Sequence, residues 1–244
     1  MDSFTYLIYT HDEYSDILDI HLKRLQQHWP SAPLSLCSNR VAGIREKYPG
    51  HTFQGLYEYD DSKPYGERIR SVLAQMKESY VLVNHEHNIF VAPVSDAVIV
   101  NIVDSMQKQN LDQVRMIVSG IGAPVFPLES PTLTENRGPY FMSCMTTLWK
   151  RTTYLDIATR FADHSFRCFE CEPIQAYVSR FRNFYLSSSL DQQFTGEGHF
   201  LSYYFPTAHV TGTGKWRTNT PMNRRFIEEI QDQYGIDLSK RGTL

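Results

Sequence analysis

The 244-residue chain has no long hydrophobic run and few cysteines. No apolar stretch approaches the roughly 20 residues that a membrane-spanning helix needs. The first residues lack the basic and apolar regions of a secretory signal. Four cysteines are too few for a disulfide scaffold in a chain of this length. We therefore expect a protein without a membrane span in a reducing cytoplasm, which would be the host cytoplasm if the protein is viral.

The chain also carries little net charge, formally −3 with a pI near 6.3. No overall basic field would draw it onto a nucleic acid or an anionic membrane, which argues against a nucleic-acid partner. A hydrophobic content of 41% is enough for a folded core. Because no repeat, low-complexity segment or linker interrupts the sequence, we expect a single domain over residues 1–244.

Short apolar segments alternate with amphipathic ones in the first half of the chain. Thr10 and Glu13 fit a capping box at the start of the first helix, Pro64 suits the start of a second helix, and Ser95 is placed to cap a third. This order predicts a mostly parallel, mixed α/β sheet with helices on both faces, in three layers. The predicted strands are Phe4–Tyr9, Leu34–Cys37, Thr52–Tyr59, Tyr80–Val83 and Val114–Val118.

The second half is less regular. Residues 120–138 are rich in Gly, Pro, Thr and Glu and predict a long surface loop, which in a compact domain is often functional. Gly235 is placed to end a final helix. The predicted strands are Tyr140–Trp149, Phe184–Leu186 and Ser202–Phe205, and the predicted helices are Arg151–Phe161, Glu172–Phe181 and Pro221–Tyr234.

A polar segment, residues 84–88, directly follows the apolar strand at Tyr80–Val83. Polar groups at this position are costly to bury without partners, and ligands of open α/β sheets bind at the carboxyl ends of strands. On an extended chain His85 and His87 point away from Glu86, but a turn would let the carboxylate and an imidazole converge on a cation. Such ligands suit Mn²⁺ or Zn²⁺ better than Ca²⁺. The alternative is simple polar capping of a strand end.

Four further features are weaker. Glu170 and Glu172 flank a predicted helix start, where a carboxylate could serve as a general base or simply stabilise the helix. Arg68 could reach a diphosphate or lie in solvent. Lys215 follows a glycine turn that lacks the spacing of a P-loop, yet a lysine there could close over a phosphate. The pair Cys168 and Cys171 lacks further zinc ligands at regular spacing, which favours a structural role.

Taken together, these segments resemble the GT-A class of nucleotide-sugar glycosyltransferases, above all the small viral and bacterial enzymes that decorate glycans. Tyr6–Tyr9 followed by Thr10-His11 resembles the first strand and nucleotide-contacting turn of that class. His85-Glu86-His87 stands where the class normally has an acidic metal-binding pair. Phe169-Glu170 resembles the element that carries the catalytic base, without its tryptophan.

The resemblance implies a GT-A fold and inverting transfer of a sugar, most readily from a UDP-sugar, to a hydroxyl of a glycan or another acceptor. A divalent metal, Mn²⁺ or Mg²⁺, would assist. It also implies a nucleotide-binding half at residues 1–118 and an acceptor-binding half with a C-terminal arm at 119–244. The implied metal ligands are Glu86, His87 and His209, and the base is Glu170 or Glu172. The implied donor-binding residues are Tyr9, Thr10, His11, Asp61, Arg68, His85, Trp149 and Lys215.

Two other functions fit the same residues. One is a zinc-dependent hydrolase that uses His85, His87 and a third ligand such as His209. The other is a non-catalytic nucleotide- or glycan-binding module that kept the fold and lost the acidic metal motif.

Overall fold

The computed structural model describes residues 3–116, 132–137, 141–187 and 204–244. Eight strands form one sheet in the order β3-β2-β1-β4-β8-β6-β9-β7. β7 and β8 run opposite to the other six strands. The strands are β1 (Phe4–Tyr9), β2 (Leu34–Ser38), β3 (Gly55–Glu58), β4 (Tyr80–His85), β6 (Gln113–Arg115), β7 (Thr132–Glu135), β8 (Thr147–Lys150) and β9 (Asn183–Ser187).

Helices cover both faces of this sheet, so the predicted three-layer, mostly parallel α/β architecture is confirmed. Alternate residues of each central strand face opposite layers, as the period of a strand requires. In β1, Tyr6 and Ile8 pack under α1 and α4, whereas Leu7 and Tyr9 pack under α3, α5 and α6. The helices are α1 (Ser15–His28), α2 (Ile44–Lys47), α3 (Tyr65–Gln75), α4 (Asp96–Gln109), α5 (Arg151–Arg160), α6 (Glu172–Val178) and α7 (Pro221–Tyr234).

Three short C-terminal strands form an arm, which packs against α1 together with β5. β5 (Asn88–Phe90) pairs antiparallel with β10 (Thr207–His209), and β11 (Thr211–Gly212) pairs with β12 (Lys215–Trp216). Both turn residues between β11 and β12 have positive φ, 49° at Thr213 and 80° at Gly214, as a two-residue hairpin turn demands. α7 then packs on α1 and ends at Gly235, whose φ is 65°, so the predicted helix stop is confirmed.

Several predicted boundaries are wrong. His11, not Thr10, caps the first helical turn, because its ring nitrogen Nδ1 accepts the Glu13 amide hydrogen at 3.2 Å. Within the predicted loop at 120–138, the alternating Thr132–Glu135 forms β7 on the sheet edge, while residues 120–131 and 138 lie outside the described part. The predicted strand at Ser202–Phe205 is displaced: residues 202 and 203 are not described, 204 and 205 form a bend, and pairing begins at Thr207.

Other predicted strands are shorter than expected. β3 begins at Gly55 rather than residue 52, and β8 begins at Thr147, although its predicted start at residue 140 lies outside the described residues. β6 covers Gln113–Arg115, and residues 117 and 118 of the predicted strand Val114–Val118 also lie outside the described residues. Within the described part of the chain, no helix has the length and apolar character required to cross a membrane.

Candidate active site

The segment with His85, Glu86 and His87 forms a turn at the carboxyl end of β4. β4 ends at His85 and the chain reverses through Glu86 and His87 into β5. Three hydrogen-bonding contacts hold its backbone. The Glu86 amide donates to the Tyr9 carbonyl at 3.3 Å, and the Val210 amide donates to the His87 carbonyl at 2.9 Å. The His21 ring lies 2.9 Å from the Glu86 carbonyl. The turn therefore holds the three side chains together.

These three side chains form the cluster in the described residues whose ligand atoms could hold a metal ion. One ligand atom from each lies within 4.8 Å of the other two. The His85 and His87 rings stack with centroids 5.3 Å apart, and His87 Nδ1 is 3.4 Å from Glu86 Oε1. His85 Nε2 is buried without a hydrogen-bond partner among the described residues. A buried nitrogen without a partner is costly, and two imidazoles with a carboxylate are suitable ligands for a divalent transition metal.

The imidazole of His85 is kept in its neutral, metal-binding form. Burial and the nearby His87 lower the pKa of His85, and Glu86 raises it. The net effect lowers this pKa from 6.5 to about 3. A proton therefore competes poorly for this nitrogen at neutral pH.

The turn opens into a cleft of about 720 Å³, a volume typical of small-molecule sites. The cleft is lined by residues of β1, of the loop before α3, of the segment before α6 and of the C-terminal arm. Of the residues expected from sequence, it brings together Tyr9, Thr10, His11, Asp61, Arg68, His85, Glu86, His87, Glu170 and His209.

One wall is a chain of polar contacts between β1 and α3. His11 Nε2 lies 3.0 Å from Asp61 Oδ2, and Arg68 Nη1 lies 2.8 Å from Asp61 Oδ1. The Arg68 guanidinium also donates to the carbonyls of Asp61 and Lys63. These partners partly balance its charge. Arg68 therefore holds this wall in place and leaves only part of its positive charge for a ligand. Behind it, the Tyr9 and Tyr59 rings stack at 5.1 Å.

Glu170 lies on a second wall, at the end of a short 3₁₀ helix, Arg167–Glu170. Its Oε1 accepts the backbone hydrogen of Cys144 at 2.5 Å, and its carbonyl accepts the Gln175 side chain at 3.0 Å. The same segment reaches the turn that carries His85, because the Phe166 ring packs edge-on at 5.3 Å from the His85 ring. The carboxylate is therefore held firmly in the cleft.

Three expected site residues lie elsewhere. Glu172 is exposed at the first position of α6, outside the cleft. Trp149 is 1% exposed and stacks on Tyr154 in the core below α5, because its position in β8 faces that layer. Lys215 is exposed beside the hairpin turn and does not line the cleft. The glycine turn itself lines it, through Gly212, Thr213 and Gly214.

His209 lines the cleft without joining the metal cluster. Its ring lies 4.4 Å from that of His87, and its Nδ1 is 3.1 Å from Asn88 Oδ1. Burial, together with the nearby His87 and Arg217, lowers the pKa of His209 well below its usual range. His209 therefore borders the cluster without belonging to the group of three close ligand atoms.

Sequence reasoning missed Arg217, a cation at the base of the C-terminal arm. Arg217 lines the cleft, and its Nε is buried with no hydrogen-bond partner among the described residues. Burial lowers its pKa. The side chain lies over Gly212, where an added Cβ would come within 2.8 Å of Arg217 Nε. Its position two residues after Lys215 on the same arm was the only available signal.

No protein-family model matches the chain, and no curated protein matches it by sequence. Solved structures do. A CMP:2-keto-3-deoxy-manno-octonic acid synthetase complexed with CTP aligns with a TM-score of 0.52 and 9% identity, over 95% of this chain and 99% of the other.

Two glycosyltransferase structures align at lower scores. TarS 1-349 from S. aureus gives a TM-score of 0.45 and 11% identity over 78% of this chain. The mannosyltransferase PcManGT from Pyrobaculum calidifontis, in complex with GDP-Man and Mn²⁺, gives 0.49 and 10% over 87%. The chain spans 62% and 58% of those two chains. At such identities the similarities show the fold alone, and the chain has a GT-A-like, mostly parallel α/β fold.

Proposed function

We propose that the chain is a metal-assisted glycosyltransferase that moves a sugar from a nucleotide diphosphate, most readily UDP, to an acceptor hydroxyl with inversion. The observation that carries this proposal is the placement of a carboxylate, Glu170, in the same cleft as the His85-Glu86-His87 cluster. Sugar transfer needs both a base for the acceptor hydroxyl and positive charge beside the leaving diphosphate. Residues of both halves line the cleft, which fits a nucleotide half and an acceptor half.

Glu170 is the base in this account. Its Oε1 is engaged by the Cys144 amide, so in this account Oε2 takes the proton of the acceptor. As the acceptor oxygen attacks the anomeric carbon, its proton passes to Glu170, the bond from that carbon to the diphosphate oxygen breaks, and the electron pair leaves with the nucleoside diphosphate. A single displacement of this kind inverts the configuration.

Positive charge for the leaving group comes from three sides of the cleft. A divalent cation such as Mn²⁺ or Mg²⁺, held by His85, Glu86 and His87, would neutralise the diphosphate as a Lewis acid. Arg217 offers a cation without an acidic partner among the described residues. Arg68 contributes less, because Asp61 already balances it.

A matched pair of variants tests the assignment of the base. Glu170→Gln keeps the shape of the side chain but cannot accept the proton, so we expect sugar transfer to fall about 10²- to 10⁴-fold with UDP affinity kept within about threefold. Glu172→Gln, outside the cleft, should transfer at the wild-type rate. Full activity in Glu170→Gln would remove Glu170 as the base. Donor binding without transfer or hydrolysis in the wild type would favour the non-catalytic module.

The nucleotide is identified by a thermal-shift screen of UDP, GDP, dTDP and CMP, each with and without Mn²⁺. A ligand at 100 times its Kd stabilises the folded state by about 2.7 kcal/mol, enough to raise the Tm by several degrees. We expect UDP with Mn²⁺ to give the largest shift. No shift with any nucleotide would contradict the proposal.

A second candidate is nucleotidyl transfer, which the near-complete alignment with the CTP-bound synthetase favours. The two reactions differ in their products: sugar transfer releases a nucleoside diphosphate, whereas nucleotidyl transfer from a nucleoside triphosphate releases pyrophosphate. Incubation with labelled UDP-sugars and, separately, with labelled triphosphates, followed by separation of the products, distinguishes them. The hydrolase alternative would instead release free sugar without any acceptor.

A further inference from the structure

A buried row of hydrogen bonds runs from the sheet to the back of the metal-binding turn. Thr146 Oγ1 donates to Asn84 Oδ1 at 2.6 Å, and Asn88 Nδ2 donates to the same oxygen at 2.9 Å. Asn84 Nδ2 then donates to the Tyr6 hydroxyl at 2.7 Å. The Tyr6 hydroxyl is 2.8 Å from His21 Nε2, and His21 Nδ1 is 2.9 Å from the Glu86 carbonyl.

The chemistry of each group fixes the direction of every bond. A carbonyl oxygen only accepts, so His21 Nδ1 carries the hydrogen that goes to Glu86. The neutral ring then offers Nε2 as an acceptor, and the Tyr6 hydroxyl, which already accepts from Asn84, donates to it. All five side chains are less than 1% exposed. The row is therefore fully ordered, and its last bond ends on the peptide that joins Glu86 to His87.

Among the described residues, this is the one side-chain hydrogen bond to a backbone group of Glu86 or His87, while Asn84 Nδ2 also spans the turn to the Asn88 carbonyl at 3.2 Å. The Glu86 amide and the His87 carbonyl are bonded to backbone groups of Tyr9 and Val210, which no side-chain substitution removes. The Glu86 carbonyl instead depends on His21 from α1. Without that donor the peptide between two ligands would be free to rotate, and a buried carbonyl would lose its partner.

We propose that His21 is a positioning residue for the metal site, held in the required tautomer by Tyr6 and acting through the Glu86 carbonyl. The inference rests on the proposed function, because it requires a cation at His85, Glu86 and His87. Partners behind the ligands of a metal site commonly change its affinity by 10- to 100-fold. We expect an effect of that size here, in the absence of any nucleotide or sugar.

The test measures Mn²⁺ binding by electron paramagnetic resonance of the free ion, with unfolding curves recorded for each metal-free variant. We expect His21→Leu to weaken Mn²⁺ binding 10- to 100-fold. His21→Asn should stay within threefold of the wild type, because its Nδ2 amide can take the place of the ring Nδ1 as donor. Tyr6→Phe removes one hydroxyl and should weaken binding several-fold, which keeps the test available if His21→Leu fails to fold.

Thr5→Val is the matched control. Thr5 is a buried neighbour on β1 whose hydroxyl bonds to Pro33 and Ser35 and not to the row, so it should lose stability without losing Mn²⁺ affinity. Wild-type affinity in folded His21→Leu or Tyr6→Phe would overturn the positioning role and leave the proposed function intact. A wild type that binds no Mn²⁺ would instead overturn the metal site, and the positioning role with it.

Discussion

Arg217 and Lys215 lie two residues apart on the same arm, yet only Arg217 lines the cleft. Sequence reasoning chose Lys215 because a lysine beside a glycine turn is a recognisable pattern. Which side chain enters a cleft depends on how the arm packs on the sheet, and no local signal carries that information. Trp149 shows the same limit, since its strand was predicted but the layer that it faces was not.

The two cations provide a direct comparison. A hydrogen bond to a charged group contributes about 1.5–3 kcal/mol, so Arg217→Gln should weaken UDP binding about tenfold or more, as measured by calorimetry with Mn²⁺ present. Lys215→Gln should change it less than twofold. Equal losses in both variants would mean that the arm moves on binding and that Lys215 also reaches the diphosphate.

His21 gives a prediction for pH. Burial lowers the pKa of His21 from 6.5 to about 4, so the folded state resists a proton that the unfolded state accepts. The resulting stability is fully present above pH 6.5 and is lost as the pH falls from 6.5 to about 4, by about 3 kcal/mol.

Chemical denaturation of the wild type and His21→Asn at pH 7 and pH 4 isolates this contribution. The stability advantage of the wild type should shrink by about 3 kcal/mol at the lower pH. An advantage independent of pH would show that His21 titrates normally in the folded protein.

At the scale of the elements, the sequence predicted the strands and helices whose limits depend on neighbouring residues alone. β1 is apolar except for Thr5, β4 begins with the apolar run Tyr80–Val83, and α7 begins at Pro221 and is capped by Gly235, as its sequence indicates. The local sequence does not decide whether the chain turns at Glu86 and His87, because the same residues could also form an extended strand. Contacts with residues distant in sequence close it: the backbone of Tyr9 and Val210, the His21 ring, and the pairing of β5 with β10. β7 was missed within a segment dominated by loop-forming residues, although Thr132–Glu135 alternates as a strand does.

The wall that carries Glu170 depends on the close approach of α3 to the end of α5. A Cβ added at Gly66 would lie 2.2 Å from the Phe161 carbonyl, and the Gly66 amide donates to the His164 carbonyl at 3.1 Å. Gly66→Ala should therefore cost about 2 kcal/mol in the free energy of unfolding, despite the better helix propensity of alanine.

Gly50→Ala is the control for that measurement, because nothing lies within 4 Å of its added Cβ. It should change stability by less than about 0.5 kcal/mol. A Gly66→Ala variant as stable as the wild type would mean that the two helices can separate without cost.

At the scale of the whole molecule, the fold places the His85-Glu86-His87 cluster and Glu170 in a single cleft. The strand order brings the carboxyl ends of β1 and β4 together, and the C-terminal arm returns across the sheet to bring His209 and Arg217 beside them. Sequence alone marks the polar residues at the end of β4 and the pair Glu170 and Glu172 as candidates, because each group lies at a clear element boundary. The arm could not be placed, since its position depends on contacts with α1 and β5.

The most direct test locates the cation. Crystals grown with Mn²⁺ and UDP in excess, measured at a wavelength where manganese scatters anomalously, should show one strong peak within coordination distance of His85 Nε2, Glu86 and His87, next to the diphosphate. UDP bound in the cleft with no manganese peak at this turn, or with the peak at another position, would contradict the account.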